Sequence, residues 1–392
     1  MATAPATTDT DADAGEVAAA LRDAPFVRVV AAANGDSLAA SGVLARALRT
    51  VAVPFQIRVD PIPDPASTMA NGEDFVLGVG PGATGGDHGI GGARPASLAA
   101  AEVVRALGLD PDPVLALAGV AAAGHPVDAG DAAALLDAAS RQTTVERRPG
   151  VAAPTADPAD CLAHSTLVHA SVSGDPEAAR ATLESLEYPA DPADDDRRRL
   201  ASWLAVESTA SSARAVDAVE RGLRPYATPD GRFATVAGFG DVLDAVARER
   251  PGTGVALAVR DGDNDDTTRT AVVEAWRTHA RAVHTAVAEA TTGRYDGVLA
   301  VRVDTDADPG RLGTVARLCR DFRSPEPVVL VVADRAAAAA APGDADIGCA
   351  TAEAVRAVEA GGKSAGDAQR ATAGFDDNVA VSRFITAFRE AL

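Results

Sequence analysis

Apolar positions along the chain fall into short continuous runs that alternate with helix-periodic stretches. The pattern predicts a helix over 16–23, a strand over 26–33, a helix over 37–49, and strands over 54–61 and 74–80. Helices follow over 95–107, 112–123 and 131–140, each opening on Pro or Asp and carrying Ala, Leu and Val on one face. Residues 144–166 are richer in Pro and polar side chains and read as connections. Helices over 175–186 and 191–213 come next, then a hairpin over 225–237 around Pro229, Asp230 and Gly231. The remaining pattern gives a helix over 241–248, a strand over 254–260 and a helix over 266–290. Strands over 297–303 and 328–333 follow, with helices over 310–322, 352–360 and 380–392.

Strands followed by a helical block imply an α/β fold, a parallel-sheet domain with surrounding helices plus a smaller C-terminal α/β domain. A chain of 392 residues can hold two such cores. The expected division is an acidic tail over 1–15, a first domain over 16–215 and a second over 216–392. The run 191–213 opens on Asp194, Asp195 and Asp196 and continues with Arg197, Arg198 and Arg199, spaced for ion pairs along a solvated face.

Composition narrows the setting. Acidic residues number 56 against 36 basic ones, a net charge of −20, and Lys363 is the only lysine. Surplus carboxylate with almost no lysine resembles the proteins of haloarchaeal cytosol, whose acidic surfaces stay hydrated in concentrated salt. At molar salt the Debye length falls to about 3 Å. Counterion release then no longer drives phosphate binding, so a nucleic-acid role needs contact-level recognition. Cys161, Cys319 and Cys349 are far apart and form no CxxC pair. No run reaches about 18 apolar residues, and the N-terminus lacks the order of a signal peptide. A soluble, cytoplasmic protein is expected, with no membrane partner.

Four places in the first 130 residues carry candidate chemistry. The first is 32–38, where Asn34 and Asp36 follow an apolar strand and open a helix of small residues. The second is the strand end at Gly78 and Gly80, the third is Gly86-Asp87-His88-Gly89, and the fourth is the apolar run closing on Ala121, Ala122 and Ala123. In order and spacing they resemble the motif series of the DHH phosphoesterase superfamily, in its archaeal RecJ-like group. That group includes single-strand exonucleases, the GINS-associated nuclease and a noncatalytic replisome subunit. The resemblance implies a site where carboxylates and imidazoles hold two divalent ions, often manganese, that activate water against a phosphodiester.

Position by position, most of those ligands are replaced. The first motif keeps Asp36 but has Ala32, Asn34 and Ser37 elsewhere; the second offers glycine; the third keeps Asp87 and His88 and ends in Gly89; the fourth offers alanine. Asp36, Asp87 and His88 are the expected residual metal ligands, with Mn²⁺ or Mg²⁺ as the possible cofactor and no residue assigned as catalytic. Two such ions about 4 Å apart need bridging carboxylates to neutralise them, and two acids with one imidazole are too few. The expected function is therefore a RecJ-like protein of DNA replication or repair with lost or much reduced phosphodiesterase activity. It would act as a scaffold or as a single-stranded nucleic-acid-binding subunit; an active Mn²⁺-dependent single-strand exonuclease is the alternative. Replication or repair proteins (GINS-like) and single-stranded nucleic acid are the implied partners.

The resemblance extends weakly to the C-terminus. DHH-associated domains carry a Gly-Gly-Gly-His loop that meets the nucleic-acid backbone, and residues 361–375 offer Gly361, Gly362, Lys363, Gly366, Arg370 and Ala371, with Asp367 in the place of the His. Lys363, Gly366, Arg370 and Ala371 are the expected nucleic-acid contacts. His125, at a helix end, reads as a cationic cap. His164 and His169 read as packing residues, His279 and His284 as solvated, and Trp203 and Trp276 as packing residues rather than stacking platforms.

Overall fold

The computed structural model describes residues 11–71, 74–83, 85–92, 94–142, 144–210, 212, 214–260, 266–303, 309–343, 345–358, 361–376 and 379–392. The first unit contains helix α1 (Ala14–Asp23), strand β1 (Val27–Ala32), helix α2 (Gly35–Thr50) and strands β2 (Phe55–Asp60), β3 (Phe75–Val79) and β4 (His88–Ile90). Helices α3 (Ala96–Ala106), α4 (Pro113–Ala122) and α5 (Ala132–Arg141) follow. The strands form a fully parallel sheet in the order β2-β1-β3-β4. The expected elements are found here within a few residues. The three-residue strand β4, which carries no apolar run long enough to register, was not predicted.

The expected tail is shorter than 1–15. Residues 1–10 lie outside the described residues, but Asp11 accepts hydrogen bonds from Gly91 and Gly92 N–H (2.8 and 2.9 Å), and Asp13 caps α1 through Gly15 and Glu16 N–H. The acidic side chains at 11 and 13 are there to satisfy backbone donors, not only to be hydrated.

A connecting region carries β5 (Glu146–Arg147), α6 (Pro158–His164), α7 (Pro176–Ser185), α8 (Asp194–Thr209), α9 (Ala215–Val219) and β6 (Tyr226–Ala227), with β5 and β6 paired as an antiparallel ribbon. On α8 the three expected i,i+3 pairs form at the surface between Asp194 and Arg197, Asp195 and Arg198, and Asp196 and Arg199. Three more helices follow: α10 (Val236–Glu249), α11 (Pro251–Val259) and α12 (Asp266–Glu289). The predicted strand over 254–260 is thus a helix. Pro251 opens it directly after α10, and Gly254 lets it lie on α2, since a Cβ there would fall 2.8 Å from Leu38 Cδ2. Packing runs continuously across the expected division at 215–216: Phe233 through Trp276 bury in the same core as β1, α2 and α4.

The last unit comprises β7 (Thr291–Tyr295), β8 (Val298–Arg302), α13 (Pro309–Phe322), β9 (Val328–Val332), β10 (Ala336–Ala340), α14 (Ile347–Ala357), β11 (Gly362–Gly366), β12 (Arg370–Phe375) and α15 (Val381–Ala391). Its sheet runs β11-β12-β10-β9-β8-β7, with only β8 and β9 parallel. Side chains alternate between two cores: Leu299, Val301, Val329 and Val331 face α13, while Val298, Leu330 and Val332 face α14 and α15. Strand β10 is five alanines, all buried between β9 and β12.

Candidate nucleic-acid interface

Strand β1 sits between β2 and β3, so successive connections leave it in opposite directions and a crevice opens beyond the carboxyl ends of β1 and β3. Asn34 stands at that edge as the N-cap of α2, its side chain accepting from Ser37 N–H at 2.8 Å. Asp36 is buried, and its two carboxylate oxygens accept from Ala96 and Ser97 N–H, at 2.6 and 2.9 Å, at the start of α3. Burial pushes the Asp36 carboxyl up to about 6, against the opposing pull of the Ser97 and Ala96 donors. This carboxylate closes the open N-terminus of a neighbouring helix.

Asp87 and His88 are elsewhere. The Asp87 carboxylate accepts from Val76 N–H at 2.7 Å, and the His88 ring tilts against Phe75 with centroids 5.6 Å apart. His88 pairs with Leu77, which places Asp87 at the level of Val76 and hence of Arg28 on β1, whereas Asp36 lies beyond Ala32. Four residues of strand at about 3.3 Å each separate those levels by about 13 Å. The expected ligand set Asp36, Asp87 and His88 is therefore not assembled: two members stand at the amino end of the sheet and one at the carboxyl end. The carboxyl end of β4 leads instead into Gly91 and Gly92. No group of three or more His, Cys, Asp or Glu side chains able to hold a metal occurs among the described residues. Donors committed to backbone N–H groups do not fit a paired divalent centre.

Two other motif positions, Gly78 and Gly80, are sterically closed to a side chain. A Cβ on Gly80, whose φ is +93°, would lie 1.9 Å from Ser37 Oγ, and one on Gly78 would lie 1.9 Å from the Ala83 carbonyl oxygen. At the end of α4, where alanines stand at 121–123, the Arg370 guanidinium reaches across from β12 and donates to the Ala123 carbonyl at 2.8 Å. A cation at a helix C-terminus suits the dipole.

Arginine is the charged residue that dominates the crevice, a space of about 360 Å³ between the first sheet and the β11–β12 hairpin. Arg94 is neutralised by Glu102, at 2.7 and 2.5 Å, and by Asp11. Arg248 bonds to Asp244 at 3.0 Å and to the Ala33 carbonyl at 2.7 Å, clamping the turn before α2. Arg317 donates to the Thr166 carbonyl and hydroxyl at 3.0 and 3.2 Å, and burial lowers its affinity for the proton to a pKa of about 10. Among the described residues, Arg317 and Arg370 have neutral oxygens, not carboxylates, as their side-chain hydrogen-bond partners.

The expected C-terminal contacts divide. Gly366, Arg370 and Ala371 line the crevice, whereas Lys363 is exposed and pairs with Asp64 at 2.7 Å. The segment expected as a loop is a β-hairpin: Asp367 Oδ1 accepts from Gln369 and Arg370 N–H at 2.7 and 2.8 Å, closing the turn. The hairpin leans on the turn after β3, where a Cβ on Gly82 would meet Ala365 Cβ at 2.7 Å. Arg94, Arg248 and Arg317 were not singled out from sequence. They come from three distant segments, and only the scarcity of lysine hints that each guanidinium has a specific geometry to satisfy.

Comparison with known proteins places this architecture. The chain is 46% identical over 383 residues to "Uncharacterized protein rrnAC1427" of Haloarcula marismortui, covering 96% of both chains. The chain belongs to the rrnAC1427 family. Residues 290–390 also match the family described as the C-terminal domain of that protein. Among solved structures, CDC45 from Entamoeba histolytica is similar with a TM-score of 0.59 and 8% identity, over 96% of this chain and 98% of that one. RecJ from Thermus thermophilus, solved in complex with Mn²⁺, is similar with a TM-score of 0.53 and 15% identity. That match covers 96% of this chain but 53% of the RecJ chain, so this protein spans about half its length. The fold of this chain is similar to those of RecJ and CDC45.

Histidines and tryptophans of this rrnAC1427-family chain are mostly internal. His279 and His284, expected in solvent, are both 1% exposed. His279 bridges Glu249 and Thr314, each at 3.0 Å, and Arg311 also holds Glu249. The order acid, imidazole, hydroxyl is that of a catalytic relay, but Thr314 is 1% exposed, so the set serves as a clamp joining α10, α12 and α13. His284 Nδ1 lies 3.0 Å from His169 Nδ1, and burial depresses the pair to about 3 and about 4. Trp276 is fully buried and donates to Asp241 at 2.8 Å. Burial, and secondarily Arg370, disfavours the charged form of His125, which is therefore not the cationic cap expected. No helix among the described residues is long and apolar enough to cross a membrane.

Proposed function

We propose that this protein is a non-hydrolytic RecJ-like binding protein of DNA replication or repair whose crevice holds the phosphate backbone of single-stranded nucleic acid. The observation that carries the reading is a substitution of chemistry at the sheet edge. Where a phosphoesterase needs converging carboxylates, this chain presents glycine, alanine and a committed Asp36, and Arg317 and Arg370 stand in the same crevice, bonded among the described residues to neutral oxygens. Guanidinium forks bond phosphate oxygens in pairs. An overall charge of −20 opposes this at long range in dilute buffer, but in molar salt that repulsion is screened within about 3 Å and short contacts decide. A divalent ion such as Mn²⁺ or Mg²⁺ has no ligand set in this reading. A replication or repair partner of the GINS kind belongs to the same proposal and is supported by the likeness of fold to CDC45.

Fluorescence anisotropy of labelled single-stranded DNA and RNA in molar potassium chloride tests the reading. Saturable binding is expected, weakened about tenfold by Arg370→Ala and partly restored by Arg370→Lys, which keeps the charge and loses the fork. Binding that is absent, or indifferent to Arg370→Ala in a variant that melts like the parent, overturns it.

A further inference from the structure

A second chamber, of about 690 Å³, opens behind the C-terminal end of α4, with His125 and Gln369 lining both it and the crevice. Its volume lies in the range of small-ligand sites, and its walls divide sharply in character. One end is cationic. Gly124 has a φ of +84° and no side chain, and a Cβ there would come 3.1 Å from Arg370 Nη2 and 3.5 Å from Arg221 Nη1, so two guanidinium groups flank one glycine. Arg221 and Arg320 share a single carboxylate, Asp321, and Arg317 approaches from the crevice side. Four guanidinium groups thus gather around Gly124 with Asp321 as their one directly bonded carboxylate among the described residues.

Such a cluster is unfavourable by itself. Burial and the neighbouring guanidinium groups both weaken the hold of Arg317 and Arg320 on their protons, while Arg221 and Arg320 lower the Asp321 carboxyl despite its burial. Asp128, Asp217 and Glu220 also line the chamber, but among the described residues none of them bonds to Arg221, Arg317, Arg320 or Arg370, which leaves this end open to an anion from outside. The opposite end of the chamber is aromatic. Tyr226 stands on the β5–β6 ribbon with the Arg147 guanidinium 5.3 Å from its ring centroid and its hydroxyl donating to Asp128 at 3.3 Å, and Val127 and Leu223 also line the chamber.

We infer that this chamber is a binding site for a nucleoside monophosphate, its phosphate against Arg221 and Arg320 and its base against Tyr226. Phosphate and ring are matched to opposite ends of one cavity, and the ligand needs no metal. Because His125 and Gln369 border both spaces, occupation of the chamber bears on the crevice. The inference does not require that the crevice bind nucleic acid.

Isothermal titration of the full chain in molar potassium chloride with AMP, CMP, adenosine and inorganic phosphate tests it. AMP or CMP is expected to saturate one site per chain, with adenosine and phosphate each at least about tenfold weaker because each fills one end only. Tyr226→Leu should weaken the monophosphates about five- to tenfold and leave phosphate unchanged, while Arg221→Met should weaken every phosphate-bearing probe about tenfold or more. No saturable monophosphate binding by the parent, phosphate binding as tightly as AMP, or monophosphate binding untouched by Tyr226→Leu in a variant that melts cooperatively overturns the inference.

Discussion

Asp36 shows how a residue that looks like a ligand can be a structural acceptor. Its two oxygens satisfy Ala96 and Ser97 N–H, so Asp36→Ala leaves two buried donors of α3 without partners and should cost about 1–3 kcal/mol in chemical denaturation. The carboxyl is raised from 3.8 to about 6 in the folded protein, so the folded state binds this proton more tightly than the unfolded chain. Its contribution is fully present below the unfolded value and is lost as pH rises through about 6. The advantage of the parent over Asp36→Ala should therefore grow between about pH 7 and about pH 5; an advantage that shrinks contradicts this role. The His169–His284 pair acts in the other direction. Nδ1 facing Nδ1 at 3.0 Å requires one donor and one acceptor, so the two rings cannot both be protonated. Their proton affinities are depressed by burial, so the unfolded chain binds protons first. Stability should fall on the order of 2 kcal/mol for each imidazole between about pH 7 and about pH 5. Replacing both by Gln should flatten that slope, and an unchanged slope contradicts the assignment. Neither role was readable from sequence, since Asp36 was set by a helix sixty residues away and the histidine partners are 115 residues apart.

The elements were readable where periodicity and length agree. The strands β1 to β3 and most helices fall within a few residues of expectation because their apolar faces and Pro or Asp starts are unambiguous. Misreadings have specific causes. A nine-residue apolar run that opens on Pro and Gly is compatible with either a buried strand or a buried helix, and contact with α2 decided for α11. Five consecutive alanines carry helix propensity, so β10 is visible only through its neighbours β9 and β12. The hairpin β11–β12 was hidden by its glycines, and one of them, Gly366, has no room for a Cβ beside the Arg370 carbonyl oxygen at 2.4 Å. We propose that the division into units falls near the end of α12, beyond the packing that ties α10 and α11 to α2. Small residues hold that packing together. A Cβ on Gly119 would fall 2.6 Å from Ser97 Cβ and 2.8 Å from Ala39 Cβ, whereas one on Gly313 in α13 meets nothing within 4 Å. Thermal melts should show Gly119→Val destabilised by about 1–3 kcal/mol or more and Gly313→Ala stabilised by about 0.5–1 kcal/mol. Equal effects at the two sites would refute the close-packing account.

At the scale of the whole molecule, a fold similar to that of RecJ carries arginines at its sheet edge. The sheet opens a crevice between β1 and β3, the C-terminal hairpin leans over it, and arginines from α10, α13 and β12 line the space. The family resemblance already implied glycine and alanine in place of ligands at Gly78, Gly80 and Ala121 to Ala123. The cluster of guanidinium groups was invisible because it is assembled from segments far apart in the chain. The Asp87-His88 pair was the most misleading signal, a match in composition that the register of β3 and β4 places at the wrong end of the sheet. The most direct test of the central claim is hydrolysis itself: labelled single-stranded DNA and RNA incubated with the full chain and Mn²⁺ in molar potassium chloride, with products resolved by length. Substrate that stays at full length while bound is the predicted result, and stepwise shortening that disappears in Asp36→Ala would contradict it.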